Sequence, residues 1–194
     1  VAVRRPTKRH WLALAGLCGL AACHGQPPLP TVPRVDLPRF LGDWYVIAHI
    51  PASSEANAHN AVESYAAGPD GTIATTYAFR DGGFDGPFEV MRPNAIVRDR
   101  ATNATWGMQF FWPIRFEYLI TYLDADYETT IVARTARDYA WIMARTPELP
   151  EAELQHLVET LRRQGYDMTK LRRVPQRWPD PAHPSFAPRG GAAN

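Results

Sequence analysis

Few residues of this 194-residue chain are spaced to do chemistry. His49 and His59 flank a polar segment, residues 51–59. They could make a surface metal site, but two scattered histidines are far more often solvated loop residues. His156 reads as a helix-surface residue, and Ser53-Ser54 has no evident partner base. There is no Gly-x-Ser-x-Gly, no phosphate-binding glycine loop and no His-Glu-x-x-His. Aspartate and glutamate fall in turns and on a helix face, with no obvious buried pair. The expectation is a protein with no catalytic residues, no metal site and no cofactor.

The two cysteines belong to the N-terminus. Arg4, Arg5, Lys8 and Arg9 form a basic stretch without acids, followed by an apolar run over residues 11–22. That run is shorter than the ~20 apolar residues needed to span a bilayer, but it has the length of a signal-peptide core. Leu20-Ala21-Ala22-Cys23 resembles the lipobox of bacterial lipoproteins, which implies acylation of Cys23 and loss of residues 1–22, Cys18 included. No cysteine would then remain for a disulfide or for thiolate chemistry. The four basic residues leave too, so 21 basic side chains become 17 against 20 acidic, a net charge of −3. A basic nucleic-acid footprint is absent from the rest.

Residues 23–36, with Pro27, Pro28, Pro30 and Pro33, read as an acylated cysteine and a semi-extended spacer. Residues 179–194, rich in Pro and Gly, read as a disordered tail. Between them lies one domain, residues 37–178. Strand patterns occur at 44–50, 60–67, 72–79, 88–97, 106–110, 118–123, 129–133 and 139–144. Pro93 in the fourth must sit at a bulge or edge. Trp106, Met108 and Phe110 alternate with Gly107 and Gln109 at a period of two. In residues 151–164 the period changes: Leu154, Leu157, Val158 and Leu161 follow i, i+3, i+4, i+7, an amphipathic helix with Pro150 in its first turn and Gly165 closing it. Residues 168–174 could add a short last strand. Eight strands and then one helix predict an all-β fold: an antiparallel up-and-down barrel with the helix packed outside.

Three segments resemble the lipocalin signatures in order. They are residues 41–48, with Gly42-Asp43-Trp44-Tyr45, then Asp124-Ala125-Asp126-Tyr127, then residues 137–147, with Tyr139-Ala140-Trp141-Ile142-Met143-Ala144 leading to Arg145. The likeness covers about residues 37–178 and is nearest to the bacterial outer-membrane lipocalins and the apolipoprotein D-like branch. It implies that Gly42 opens the first strand at a closed end, that Trp44 plugs that end under Arg145, and that Asp126 and Tyr127 fix the neighbouring turn. Arg145 sets the inner parity of its strand, so Met143 and Trp141 share it, and Trp141 matches a pocket tryptophan of the family. Trp106, Met108, Phe110, Tyr77 and Phe79 are the other expected ligand contacts. Pro93-Asn94 departs from the family's usual glycine-containing strand, which predicts a kink there.

The resemblance implies a membrane-anchored binder of a small hydrophobic ligand, foremost a fatty acid or lysophospholipid, as a monomer or homodimer on the outer membrane, facing the periplasm. The alternatives are a tetrapyrrole or pigment binder, though no histidine falls on the expected inner parity, or a structural lipoprotein whose barrel is filled. An enzyme is the least favoured reading.

Overall fold

A computed structural model describes residues 26–183. The lipobox, Cys23 and the tail beyond residue 183 lie outside the described residues. A short helix, α1 (Leu37–Phe40), leads into β1 (Gly42–Ile50), β2 (Ala58–Ala67), β3 (Thr72–Asp81), β4 (Phe88–Met91), β5 (Asn94–Val97), β6 (Thr105–Phe111), β7 (Ile114–Leu123), β8 (Thr129–Ala133) and β9 (Ala140–Ala144). Then come α2 (Glu151–Arg163) and a two-residue strand, β10 (Arg172–Arg173). Every pairing is antiparallel; β3 pairs with both β4 and β5, the other barrel strands pair in chain order, β10 pairs with β1, and β9 returns to β1 to close the barrel. β4 and β5 are two halves of one barrel strand. Pro93 has no N–H to give the ladder, so the strand breaks at Arg92-Pro93, and its halves pair with the upper and lower parts of β3. The predicted kink is there, as a full interruption.

Inward side chains from Trp44 to Met143 make one core, and outward apolar side chains make a second under α2. Leu154, Leu157 and Leu161 of the helix bury against Ile47, Ile131 and Ile142. Burial of each leucine contributes roughly 1.5–3 kcal/mol. Pro150 is the N-cap rather than a first-turn residue, and its carbonyl accepts from Glu153 and Leu154. Gly165, with φ of 88°, turns the chain out of the helix.

Both flanking segments differ from expectation within the described residues. The proline-rich stretch is docked: Leu29 and Val35 are buried, and the amides of Val32 and Val35 donate to the carbonyls of Ile120 and Thr102. Proline fixes an extended path, and the apolar residues between the prolines pack on the barrel. At the other end, β10 and residues 174–177 fill the gap where upper β2 diverges from β1, with Val174 donating to Ile47 and Asn60 donating to Pro175. Residues 179–183 are also placed. Asp180 is buried against the Arg80 guanidinium at 2.7 Å and accepts from Asn60. Arg80 holds its carboxyl well below the ordinary range.

Candidate functional site

The barrel interior divides into a sealed floor, a middle layer and an open rim. The floor is aromatic. Phe40 of α1 packs on Trp44, Tyr65 and Trp106 with ring centroids 5.1, 5.6 and 5.5 Å apart. The indole N–H of Trp44 donates to the Phe40 carbonyl, and that of Trp106 donates to Asn103. Beneath it the Arg145 guanidinium lies 3.6 Å from the Trp44 ring centroid. It donates to the carbonyls of Arg39, Phe40, Leu41, Asp43 and Tyr127, so the charge is spent on backbone oxygens. Gly42 makes this approach possible: its φ is +96°, a conformation other residues rarely adopt.

The adjoining turn is held by a different aspartate than expected. Asp124, not Asp126, accepts from the amides of Asp126, Glu128 and Thr129. Asp126 contributes an amide, while Tyr127 accepts from Asp36 and lies under the Arg39 guanidinium at 4.1 Å. An aspartate two residues before the donor closes an Asx turn, a geometry the Asp-Ala-Asp run leaves open to either carboxylate.

Above the floor is a cavity of about 320 Å³. That is the small end of the ~300–1,000 Å³ usual for ligand pockets. Of the expected contacts, Trp141, Met108, Phe110 and Tyr77 line it. Trp106 and Met143 point inward as their parity required, but they are fully buried in the floor layer. Period two gives the face of a strand and not the height along the barrel, which is why both were assigned too high. Phe79 is buried beside Tyr77, ring centroids 5.2 Å apart, and lies outside the lining.

Several lining residues carry no such expectation. Tyr118 stacks between Trp106 and Trp141, at 5.6 and 6.1 Å. Met91, Phe111 and Phe116 line the cavity with Tyr139 and Arg134. Arg134 pairs with Asp138 at 3.1 Å, and its Nε is buried without a hydrogen bond.

Three glutamates line the cavity, Glu117 at the rim and Glu55 and Glu63 deeply buried, and the buried two correct the expectation of no buried acid pair. Glu63 accepts from Tyr118 at 3.2 Å, and the Tyr65 hydroxyl is hydrogen-bonded in turn to that of Tyr118. Glu55 comes from the first loop, where a short 3-10 turn over Ser53–Glu55 folds it inward to accept from the Ala52 amide. Burial pushes Glu63 up to about 7 and raises Glu55 as well. Glu63 could have been found from sequence. Ala61, Glu63 and Tyr65 share one strand face, and a tyrosine and an alanine on that face argue that the glutamate between them is inside. Glu55 carries no such local signal.

His49 is the other surprise. The β1–β9 register shifts between Val46 and Ala48, so His49 stands opposite Trp141 on the inner face. It is buried, outside the cavity lining, and burial together with Arg172 lowers it to about 4.

The rim is apolar and exposed. Phe110, Phe111, Trp112 and Ile114 form the β6–β7 hairpin tip, and Trp112 is 83% exposed. Phe110 and Phe111 belong both to this patch and to the cavity wall.

A closed antiparallel barrel with a helix after the last barrel strand is shared with known proteins. A sequence model of the lipocalin-like domain matches residues 35–176. The chain belongs to the lipocalin family. Outer membrane lipoprotein Blc of Escherichia coli K12 is 27% identical over 164 residues, covering 82% of this lipocalin and 90% of Blc. Bovine apolipoprotein D is 29% identical, covering 82% and 89%. Temperature-induced lipocalin-1 of Arabidopsis thaliana is 27% identical, covering 76% and 83%. Insecticyanin from the tobacco hornworm Manduca sexta has the same fold, with a TM-score of 0.60 at 17% identity over 76% of this chain and 84% of that one. Lipocalins are typically binders of hydrophobic ligands rather than enzymes.

Proposed function

We propose that this lipocalin takes a single-chain lipid, a fatty acid or lysophospholipid, from the bacterial outer membrane, to which acylated Cys23 tethers it. The observation that carries the reading is the continuity of the exposed hairpin tip with the cavity wall. Exposed aromatic side chains beside a pocket mark a surface that meets an apolar phase. Trp112 suits the membrane interface, where an amphipathic ring sits at headgroup level. A chain leaving the bilayer there passes Phe111 and Phe110 without crossing water, and staying out of water is worth about 0.8 kcal/mol per CH₂. The small volume favours one acyl chain over two. Arg134, at the rim with an unpartnered Nε, suits an anionic head left outside. The outer membrane is argued from the Blc lipoproteins of Escherichia coli, Citrobacter freundii and Vibrio cholerae, whose names place them there.

Two measurements test the two halves. Protein lacking residues 1–23 is expected to bind monomeric laurate and lysophosphatidylcholine at micromolar concentration, with a change in tryptophan fluorescence. Trp112→Ser should leave that affinity unchanged and slow uptake from vesicles about tenfold. No binding of either lipid removes the reading, and unchanged uptake removes the role of the hairpin. Separately, labelled palmitate should be incorporated by the full chain expressed in a bacterium and lost in Cys23→Ala. Label retained in that variant would refute the anchor.

A further inference from the structure

The interior is not a uniform grease slot. Its inner end carries two carboxyl groups, and both are more than nine-tenths buried, Glu55 at 5% and Glu63 at 6% exposure. They reach the cavity from different elements, Glu63 from β2 and Glu55 from the loop that follows β1. The aromatic side chains around them are Trp141, Tyr77 and Tyr118. A third group there is incomplete. Tyr77 lines the cavity at 5% exposure, and its buried hydroxyl lies near Glu55 without completing a hydrogen bond of good geometry. A buried hydroxyl without a well-formed hydrogen bond is unfavourable, and a ligand that reorders this corner would relieve it.

The cation of the cavity is elsewhere. Arg134 stands at the rim, against the rings of Phe116 and Tyr139 and paired with Asp138. The neighbours of the two carboxyls among the described residues are one another and aromatic side chains: Glu63 lies by Glu55, Tyr65 and Tyr118, and Glu55 by Tyr77 and Trp141. The acid pair therefore lies among aromatic rings at the inner end, while the charge of Arg134 is met at the rim by Asp138. Two carboxyls beside aromatic faces are the chemistry that recognises an organic ammonium, through ion pairing and cation–π attraction. A third carboxyl at the same place would meet only repulsion and desolvation.

We infer that this inner end is a subsite for an ammonium group, so that among single-chain amphiphiles the cavity prefers an alkylamine, bound head inward between Glu55 and Glu63, over the alkanoate of equal length. The inference rests on the proposal that the cavity holds a single-chain lipid, and it names the head group that the inner end selects. The ammonium donates to Glu63 and Glu55 and accepts nothing. The Tyr77 hydroxyl then donates to Glu55, now held ionised.

The test is a comparison of dodecylamine, laurate and dodecanol, each below its micelle concentration, by calorimetry on protein lacking residues 1–23. Dodecylamine is expected to bind at least tenfold more tightly than laurate at pH 8, with dodecanol between them. Its binding draws Glu63 into the ionised state, so a proton is released near neutral pH, visible as a buffer-dependent heat. The amine stays protonated throughout, its ordinary pKa being about 10.4. Affinity for it should therefore rise about tenfold from pH 6 to pH 8 as the acid pair ionises, while that for dodecanol stays level. The groups facing the pair are Tyr65, Tyr77, Tyr118 and Trp141, with Arg134 and Glu117 at the rim and His49 opposite Trp141. Glu63→Gln keeps the acceptor for Tyr118 and should remove both the preference and the proton release; Glu55→Gln, in a loop outside the barrel ladder, should weaken the preference by a smaller factor. Laurate binding as tightly as dodecylamine, or a preference unchanged in both variants, overturns the subsite and leaves the lipid cavity standing. Failure of all three probes and of lysophosphatidylcholine removes the cavity itself.

Discussion

Trp44→Ala is expected to cost about 3–5 kcal/mol of stability, the range for truncating a buried Phe or Trp to Ala, enough to unfold a marginal domain. Three losses act together. The indole is fully buried against Phe40, which in turn packs on Tyr65 and Trp106, so its removal leaves a cavity beside Phe40 in a tightly packed aromatic layer. The Phe40 carbonyl loses the indole donor, which loosens the seat of α1. Arg145 loses the ring face over which it lies. Its hydrogen bonds to five carbonyls remain, so the guanidinium does not become an orphaned charge, and this bounds the damage. Chemical denaturation of the protein lacking residues 1–23 measures the change. A loss below about 1 kcal/mol would mean that the floor repacks, and that the seal is not where the Trp44 environment puts it.

The closed end was legible in the sequence because its chemistry is local. Gly42, Trp44 and Arg145 are of types that few positions require, and each does in the structure what its type suggests: a positive φ, a buried plug, a planar cation over a ring. Asp126 shows the limit of such reading. Two aspartates stand two residues apart in the same turn, and only the backbone decides that Asp124 accepts the amides. The interior was half legible. Alternation placed Trp106, Met108, Trp141 and Met143 inside, but height along a tilted strand depends on register with strands far away in sequence. A single irregularity between Val46 and Ala48 was enough to carry His49 from one face to the other. The acid pair was missed for a related reason. A glutamate in a strand is ordinarily a solvent-face residue, and Glu55 approaches Glu63 only because the first loop folds over the mouth. The docked segments at both termini were hidden by their prolines, which read as linker composition although Leu29, Val35 and Val174 alternate with them and bury.

Trp141→Ala separates binding from folding, and is expected to weaken affinity for a single-chain ligand at least tenfold while costing little stability. Trp141 is only partly buried, because one face of its ring borders the cavity. Its ring contacts are a stack on Tyr118 at 6.1 Å and a tilted contact with Tyr139 at 6.4 Å, and its indole lies close to Glu55, which also has the Ala52 amide as a donor. Neither ring depends on it for a hydrogen bond, since Tyr118 is held by Glu63 and Tyr65. Truncation therefore widens a space that is already empty rather than opening a new hole in a packed layer, and the usual penalty for a buried tryptophan does not apply. A bound chain, by contrast, loses the largest flat wall that it touches. At about 25 cal/mol per Å², losing some 60 Å² of apolar contact is worth about 1.5 kcal/mol, a factor of about ten in affinity. Met143, one layer lower on the same strand and fully buried, supplies the control. Met143→Ala should reverse the pattern, with a loss of about 2–5 kcal/mol in stability and intact affinity in whatever fraction stays folded. Equal effects of the two substitutions on affinity would place the ligand against the floor, and the boundary between sealed end and cavity would then lie below Met143 rather than between it and Trp141.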